Sequence, residues 1–361
     1  MKTDVVIIGA GPAGLVAGEQ IAKAGFDVII FEKSQYPGKG KVCGGAFSKE
    51  CFMDLDLPKK LIEKECSKII VNFPNQKFEK IHEPGFVLFQ RELFDRELAE
   101  KAQENGCQLL TSALVTTVEK CDEGIIATSK SLIKEKIKKI NAKITIFADG
   151  ANTLAFKKFG LGFGSQPDST SIAAACDLKW PKNKLDNLGF FFSDEISPFG
   201  YGWVFPKKDI INVGVLCLRS KLKAPISKHL KYFIASQSLG FREVISSGSR
   251  IMPQGLAERI FDDSIMVIGD AAGTADPIDG GGIHNAVVSG EISGKIAIEA
   301  LNIKNSSANS LSNYEKLWKK TRNYENFQRS FLLQRLALKD NMNIGFFLKN
   351  KGIFNNYTSI G

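Results

Sequence analysis

The chain opens on Asp4-Val5-Val6-Ile7-Ile8 and runs directly into Gly9-Ala10-Gly11-Pro12-Ala13-Gly14. An Ala-rich helix follows from Leu15 to Ala24, stopped by Gly25. A second strand, Val28-Ile29-Ile30-Phe31, then ends at Glu32. Strand, glycine turn, helix, strand and acid in this order form one β-α-β unit in which each part has a separate task. Gly9 permits the tight turn off the strand. Gly11 lets the backbone approach a pyrophosphate, and Gly14 lets the helix pack close to the strand. The helix directs its N-terminal amides and the positive end of its dipole at the phosphates. Glu32, at the tip of the second strand, is placed to accept hydrogen bonds from a ribose diol. A glycine-rich turn that bound nothing would need no acid there, so these residues predict a dinucleotide site.

A second site of this kind lies near the other end of the chain. The apolar strand Ile265-Met266-Val267-Ile268 leads into Gly269-Asp270-Ala271-Ala272-Gly273. Asp270 is placed to take hydrogen bonds from sugar or ribityl hydroxyls. Gly280-Gly281-Gly282-Ile283 then opens a helix whose first amides can hold an electronegative edge such as that of a flavin pyrimidine. A nicotinamide dinucleotide needs only the first site; two sites suit a longer cofactor, and FAD has that length. Arg91, at the head of Arg91-Glu92-Leu93-Phe94-Asp95, either reaches the pyrophosphate or ribityl chain or pairs with Asp95 across one helical turn.

The 361 residues suggest about two domains, and a hydrophobic content of 43% is ample for a large core. The net charge of +9 fits lysine-rich solvent faces, or attraction to anionic headgroups or phosphorylated substrates. No helix-turn-helix, zinc-finger or aromatic-and-basic strand pattern accompanies it, which argues against nucleic acid. The seven cysteines are odd in number and none has C-x-x-C spacing. With no secretory leader, this points to a reducing, cytoplasmic interior. His82, His229 and His284 are far apart in sequence and adjoin no cysteine cluster, so no metal site is expected. No apolar run is long enough to span a bilayer, which limits any membrane association to peripheral contact at the inner face.

Along the chain, 33–47 reads as a polar glycine-rich loop, 68–89 as short strands, and 91–104 as a helix ended at Gly106. Lysine-rich 130–143 fits either a helix, through Ile133, Ile137 and Ile140, or a solvated hairpin. Ile144-Thr145-Ile146-Phe147 is a strand ending in Ala148-Asp149-Gly150. Residues 170–218 are β-rich, and 226–238, 284–301 and 312–339 are helical. Gly160-Leu161-Gly162-Phe163-Gly164 follows a helix, not a strand, and is no second nucleotide motif. Tyr201, Trp203 and Phe205 alternate on one strand and so share a face; they form either ordinary core or an aromatic wall beside a flat or chain-like apolar ligand. The fold expected is α/β. A discontinuous Rossmann-like FAD-binding domain (1–66, 91–160, 250–305) carries an inserted β-rich substrate domain (67–90, 161–249) and C-terminal helices (306–361).

These motifs, with Lys41-Val42-Cys43-Gly44-Gly45 and Tyr201-Gly202-Trp203-Val204-Phe205-Pro206, resemble the geranylgeranyl reductase family of flavoproteins. That family lies within the p-hydroxybenzoate-hydroxylase-like superfamily. The glycine and Gly-Asp motifs are shared across the superfamily, whereas the Cys-Gly-Gly loop and the Tyr-x-Trp-x-Phe-Pro stretch point to the reductases. The resemblance extends over roughly residues 1–300. It implies FAD contacts at Ala13, Glu32, Cys43, Gly44, Ala46, Arg91, Val115, Asp270, Gly282 and Ile283. Archaeal members usually continue beyond the length of this chain, with extra helices that help enclose a long lipid.

The activity this implies is saturation of isoprenoid carbon–carbon double bonds, on geranylgeranyl diphosphate or a prenyl lipid, by hydride from reduced FAD. Such an alkene is not polarised, so positioning and exclusion of water must do most of the work. Cys43, Tyr201 and Trp203 are the catalytic candidates. Cys43 either donates a proton or fills space beside the ring. The electron donor is NADPH, ferredoxin or another reduced flavin. Competing functions are an FAD monooxygenase of an aromatic or quinone substrate, and a flavoprotein that binds a lipid or partner without turnover. The stretches at 331–336 and 346–348 form a helical lid, a membrane-surface contact or plain packing onto the body.

Overall fold

The structure is a computed structural model. It describes residues 1–352 apart from Val42, Glu135, Ser165, 181–183, Ser238, 240–242 and Leu256. Val42 of the Lys41–Gly45 stretch and the last residues of the expected C-terminal helices, 353–361, therefore lie outside the described residues.

In chain order the elements are β1 (Lys2–Ile8), α1 (Pro12–Lys23), β2 (Val28–Phe31), β3 (Ala46–Ser48), α2 (Lys49–Asp54), β4 (Lys64–Phe73), β5 (Gln76–Leu88) and α3 (Arg91–Glu104). Then come β6 (Gln108–Leu110), β7 (Ala113–Cys121), β8 (Gly124–Ser131), β9 (Ile137–Phe147), α4 (Leu154–Phe159), β10 (Thr170–Lys179), β11 (Asn187–Phe191), β12 (Tyr201–Pro206) and β13 (Ile210–Leu218). The chain continues through α5 (Ile226–Ser236), β14 (Glu243–Pro253), β15 (Phe261–Asp262), β16 (Ile265–Val267), α6 (Ile283–Asn302), α7 (Ala308–Trp318), α8 (Arg322–Lys339) and α9 (Ile344–Asn350).

The first sheet runs β15-β16-β9-β1-β2-β6, with the β7–β8 hairpin joined on at β9. Its centre, β16-β9-β1-β2-β6, is parallel. A parallel strand covered on both faces must be apolar throughout. That is why Val5, Val6, Ile7, Ile144 and Ile146 are all fully buried, each contributing about 1.5–3 kcal/mol. The second sheet, β14-β10-β13-β12-β11-β4-β5-β3, is antiparallel except where β11 lies parallel to β4. Its two faces differ. Gly202 and Val204 face α5, through Phe233, while Tyr201, Trp203 and Phe205 face the other way.

The α/β architecture and its two β-layers match the sequence, but the layers cut the chain elsewhere. Ala46–Ser48 and Lys64–Cys66 pair in the second sheet, although 1–66 was assigned to the first domain, and β14 carries the second sheet on to Pro253. Lys130 pairs with Ile137, so 130–131 and 137–143 belong to the β8–β9 hairpin. Ile133 and Ile137 are solvent-exposed and only Ile140 is buried, so isoleucines at helical spacing do not make a helical face here. The helix expected over 312–339 is two. Lys319 and Lys320 end the first, and the Thr321 hydroxyl accepts from the Tyr324 amide to start the second. The C-terminal helices are also not one layer. α7 buries Leu311, Tyr314 and Trp318 in the core of the first sheet, whereas α8 and α9 bury Leu333, Ala337, Ile344, Phe347 and Leu348 against the second.

Candidate functional site

The two glycine turns meet because α1 and α6 pack tightly. Gly290 of α6 lies against the Ala13 carbonyl and Gly294 against Gln20 and the Ala17 carbonyl; a side chain at either would separate the helices. Both helices thus begin at one cavity of about 840 Å³, within the usual range for a ligand site. Gly11 caps α1 and Gly282 caps α6, and neither start has a side-chain cap. The amides of each first turn, which a helix cannot satisfy internally, remain available to an anion or an electronegative edge. Gly9 takes φ of +107°, closed to other residues, and packs on the Ala148 carbonyl at the end of β9. A Cβ on Gly11, by contrast, would meet nothing, so open space lies where a pyrophosphate would approach.

Of the residues singled out in the sequence, Gly9, Gly11, Ala13, Glu32, Cys43, Gly44, Ala46, Arg91, Val115, Tyr201, Trp203, Asp270, Gly282 and Ile283 all line this cavity. Gly14 does not; it stands behind the turn against the Gly9 carbonyl, as helix–strand packing requires. Glu32 is buried, and its carboxylate accepts the amides of Ala10 at 3.1 Å and Ser34 at 2.7 Å. It therefore fastens the glycine turn to the second strand. Each of its oxygens can accept a further bond, which leaves capacity for a ribose hydroxyl.

Arg91 pairs with Asp95 and still lines the cavity. Its Nε and Nη2 donate to the two carboxylate oxygens of Asp95 at 3.0 and 2.9 Å, and it also faces the cavity. Burial disfavours its charge, but Asp95 and, behind it, Cys43 outweigh that and hold the guanidinium ionised. Asp270 is likewise already paired, with Arg250 of β14, so this contact ties the two sheets together across the site.

The Cys43–Gly45 loop rests on the aromatic strand. The ring of Phe205 lies 2.7 Å from where a Gly44 Cβ would stand, and Trp203 Nε1 lies 3.4 Å away, so only glycine fits. The Gly45 amide donates to Cys43 Sγ at 3.4 Å. On the facing wall Tyr201, Trp203, Phe205 and Phe190 stand ring against ring, with centroids 5.3–6.3 Å apart. Their polar ends are turned away from a ligand. Trp203 Nε1 donates to Asn212 Oδ1 at 2.7 Å, and the Tyr201 hydroxyl donates to the Asp279 carbonyl. Burial, then the nearby Asp279, Asp276 and Cys43, push the Tyr201 phenol well above its ordinary range, so it stays neutral. Leu188, Leu216 and Met252 extend the apolar lining.

Sequence reasoning missed Arg250, Asp276, Asp279, Cys51 and His284, all of which line the cavity. Cys51 Sγ lies 3.3 Å from His284 Nε2, although 233 residues separate them. Burial raises the thiol and lowers the imidazole, so both are neutral. Asp279, directly before Gly280-Gly281-Gly282, had a local signal; the others had none. Among the described residues no group of three or more His, Cys, Asp or Glu side chains could hold a metal, and no helix is long and apolar enough to cross a membrane.

Known proteins share this arrangement. A model of the FAD binding domain matches residues 2–188, and one of the geranylgeranyl reductase catalytic domain matches 174–250, which contains the aromatic strand. The digeranylgeranylglycerophospholipid reductase 1 of Methanosphaera stadtmanae is 30% identical over 328 residues, covering 87% of this chain and 79% of its own. A digeranylgeranylglycerophospholipid reductase 2 of Methanopyrus kandleri is 31% identical over 355 residues, covering 94% and 86%. The chain belongs to the geranylgeranyl reductase family of FAD-dependent oxidoreductases. A geranylgeranyl bacteriochlorophyll reductase-like structure from Thermoplasma acidophilum superposes with a TM-score of 0.86 at 25% identity, over 96% of this chain and 90% of that one. The flavin-dependent brominase Bmp2, at 19% identity and a TM-score of 0.74 over 99% and 100%, shares the fold alone.

Proposed function

We propose that this protein saturates carbon–carbon double bonds in the isoprenoid chain of a prenyl lipid or prenyl diphosphate. One observation carries this reading: the cavity between the two glycine turns continues along an aromatic wall whose hydroxyl and indole N–H are already paired within the protein. When bound, reduced FAD supplies the hydride. Gly9, Gly11 and Ala13, with Gly14 behind the turn, would hold the pyrophosphate end, and Glu32 and Val115 the adenosine. Arg91 and Asp270 would hold the linking chain. Cys43, Gly44, Ala46, Gly282 and Ile283 would hold the ring.

An isolated alkene offers no charge to grip, so catalysis rests on holding the chain flat and dry. Tyr201 and Trp203 do this as a rigid wall, fixed by their hydrogen bonds to Asp279 and Asn212. Cys43, in the loop that rests on this strand, fills space beside the reacting carbons and helps keep water off them. The net charge of +9 and the exposed Leu332 and Leu336, one turn apart on α8, support peripheral contact with an anionic membrane surface. The electrons enter from a transiently docking donor, for which NADPH, ferredoxin and reduced flavin are the candidates.

The test is anaerobic single turnover. Dithionite-reduced holoenzyme mixed with geranylgeranyl diphosphate is expected to reoxidise its flavin while the product gains a pair of hydrogens per saturated bond, read by mass spectrometry. Flavin that stays reduced with every prenyl substrate offered would overturn the assignment. Oxygen consumption with hydroxylated product would instead make the protein a monooxygenase.

A further inference from the structure

Saturating one double bond consumes a proton as well as a hydride. The alkene π pair forms the new bond to the proton at one carbon, and the hydride pair forms the bond at the other. The proton donor must reach the cavity and hold a proton at neutral pH. Two carboxyl groups, Asp276 and Asp279, lie in the cavity wall on the turn that leads into α6. Their hydrogen bonding is unequal. Asp276 accepts three donors: the amides of Ile278 at 2.8 Å and Asp279 at 3.1 Å, and the Ser330 hydroxyl at 2.6 Å. Asp279 accepts the Gly281 amide at 2.6 Å, and the neighbouring Asp276 disfavours a second charge there. Three donors favour a carboxylate at Asp276. A second negative charge beside it in a desolvated wall is disfavoured, so the shared proton sits on Asp279.

The turn that carries this acid is packed against the apolar lining. The Tyr201 hydroxyl rests on the Asp279 main-chain carbonyl, and the next residue, Gly280, has that hydroxyl 3.5 Å from its Cβ position and Leu216 and Met252 at 3.1 Å. Asp279 itself lines the same cavity as these side chains. We propose that Asp279 is the acid that protonates the alkene, with Asp276 as the positioning residue that fixes where the proton sits. In the step the Asp279 O–H bond breaks, its electron pair stays on the carboxylate, and repulsion from Asp276 draws a replacement proton from water before the next turnover. This rests on the reductase reading above and goes beyond it by naming the proton's source, which Cys43 would otherwise supply.

Two measurements test it. Infrared spectra of the wild-type protein at neutral pH, without turnover, are expected to show the carbonyl stretch of a buried neutral carboxylic acid that shifts in D₂O. The band is expected to vanish in Asp279→Asn and to change frequency in Asp276→Asn. No such band in the wild type would sink the proposal without any variant. In single turnover with geranylgeranyl diphosphate, Asp279→Asn with full flavin content is expected to reoxidise about 100-fold or more slowly, as removal of a general acid does. Asp279→Asn near the wild-type rate would overturn the proposal. A wild type that transfers no hydride at all would instead remove the reductase reading, whatever the infrared band shows.

Discussion

The first sheet meets the cavity with backbone, and the second meets it with side chains. Around α1 and α6 the working parts are amides, carbonyls and the absence of Cβ atoms at Gly9, Gly11 and Gly282, while Glu32 fastens the turn instead of projecting freely. Across the cavity the parts are rings, of which Tyr201 and Trp203 are fixed by a polar partner on a turn or neighbouring strand. Backbone recognition needs a fixed chain path, which a few glycines at set spacing can dictate. A side-chain wall needs several strands brought into register, and no short stretch can dictate that.

The largest effect is therefore expected where the backbone half is blocked. Gly9→Val forces a β-branched residue to a φ of +107° and into the Ala148 carbonyl. Combined strain and overpacking of roughly 2–6 kcal/mol should follow, seen as colourless protein with a lowered urea midpoint. Retention of full flavin would mean the turn is not rigid.

Next is the junction between the halves. Arg91→Ala strands the fully buried Asp95 carboxylate, at an expected cost of about 3–5 kcal/mol. Removing both partners, in Arg91→Ala with Asp95→Ala, should recover much of that midpoint. If it recovers none, Arg91 acts through packing, not charge.

A smaller effect belongs to the carboxyl pair. Burial raises Asp276 to about 6, above its unfolded value of about 3.9. The native state then holds more protons than the unfolded chain between those values, so this contribution is fully present below about pH 4 and is lost as pH rises through about 6. The stability difference between wild type and Asp276→Asn should change by about 2 kcal/mol over that window in apoprotein denaturation. A difference flat with pH would refute the raised carboxyl. Smallest of all, Trp203→Phe keeps the ring face but leaves Asn212 Oδ1 without its donor, at about 1–2 kcal/mol. Its signature should be a raised KM for prenyl substrate with flavin affinity unchanged, which would separate the two halves functionally.

How far each half could be read in advance follows the same line. The β1–α1–β2 unit, Gly269-Asp270 and the start of α6 were legible because each is a local pattern whose backbone demand is met within a few residues. The alternation of Tyr201, Trp203 and Phe205 gave their shared face, since strand geometry alone fixes it. Arg250 carried no signal; it becomes a site residue only because β14 pairs with β10 and places it beside Asp270. Cys51 and His284 meet for a similar reason. The hairpin at 130–143 was ambiguous because three isoleucines satisfy a helical spacing, and pairing with β8 settled it.

The amino-acid order by itself set the chain path at both ends of the cofactor, because glycine spacing and apolar strands constrain φ, ψ and burial locally. The tertiary structure alone decided which charges pair across the cavity, which of two neighbouring carboxyls keeps a proton, and where the aromatic wall stands relative to Cys43. Those properties depend on distance and desolvation, and neither exists until the two sheets have closed on each other.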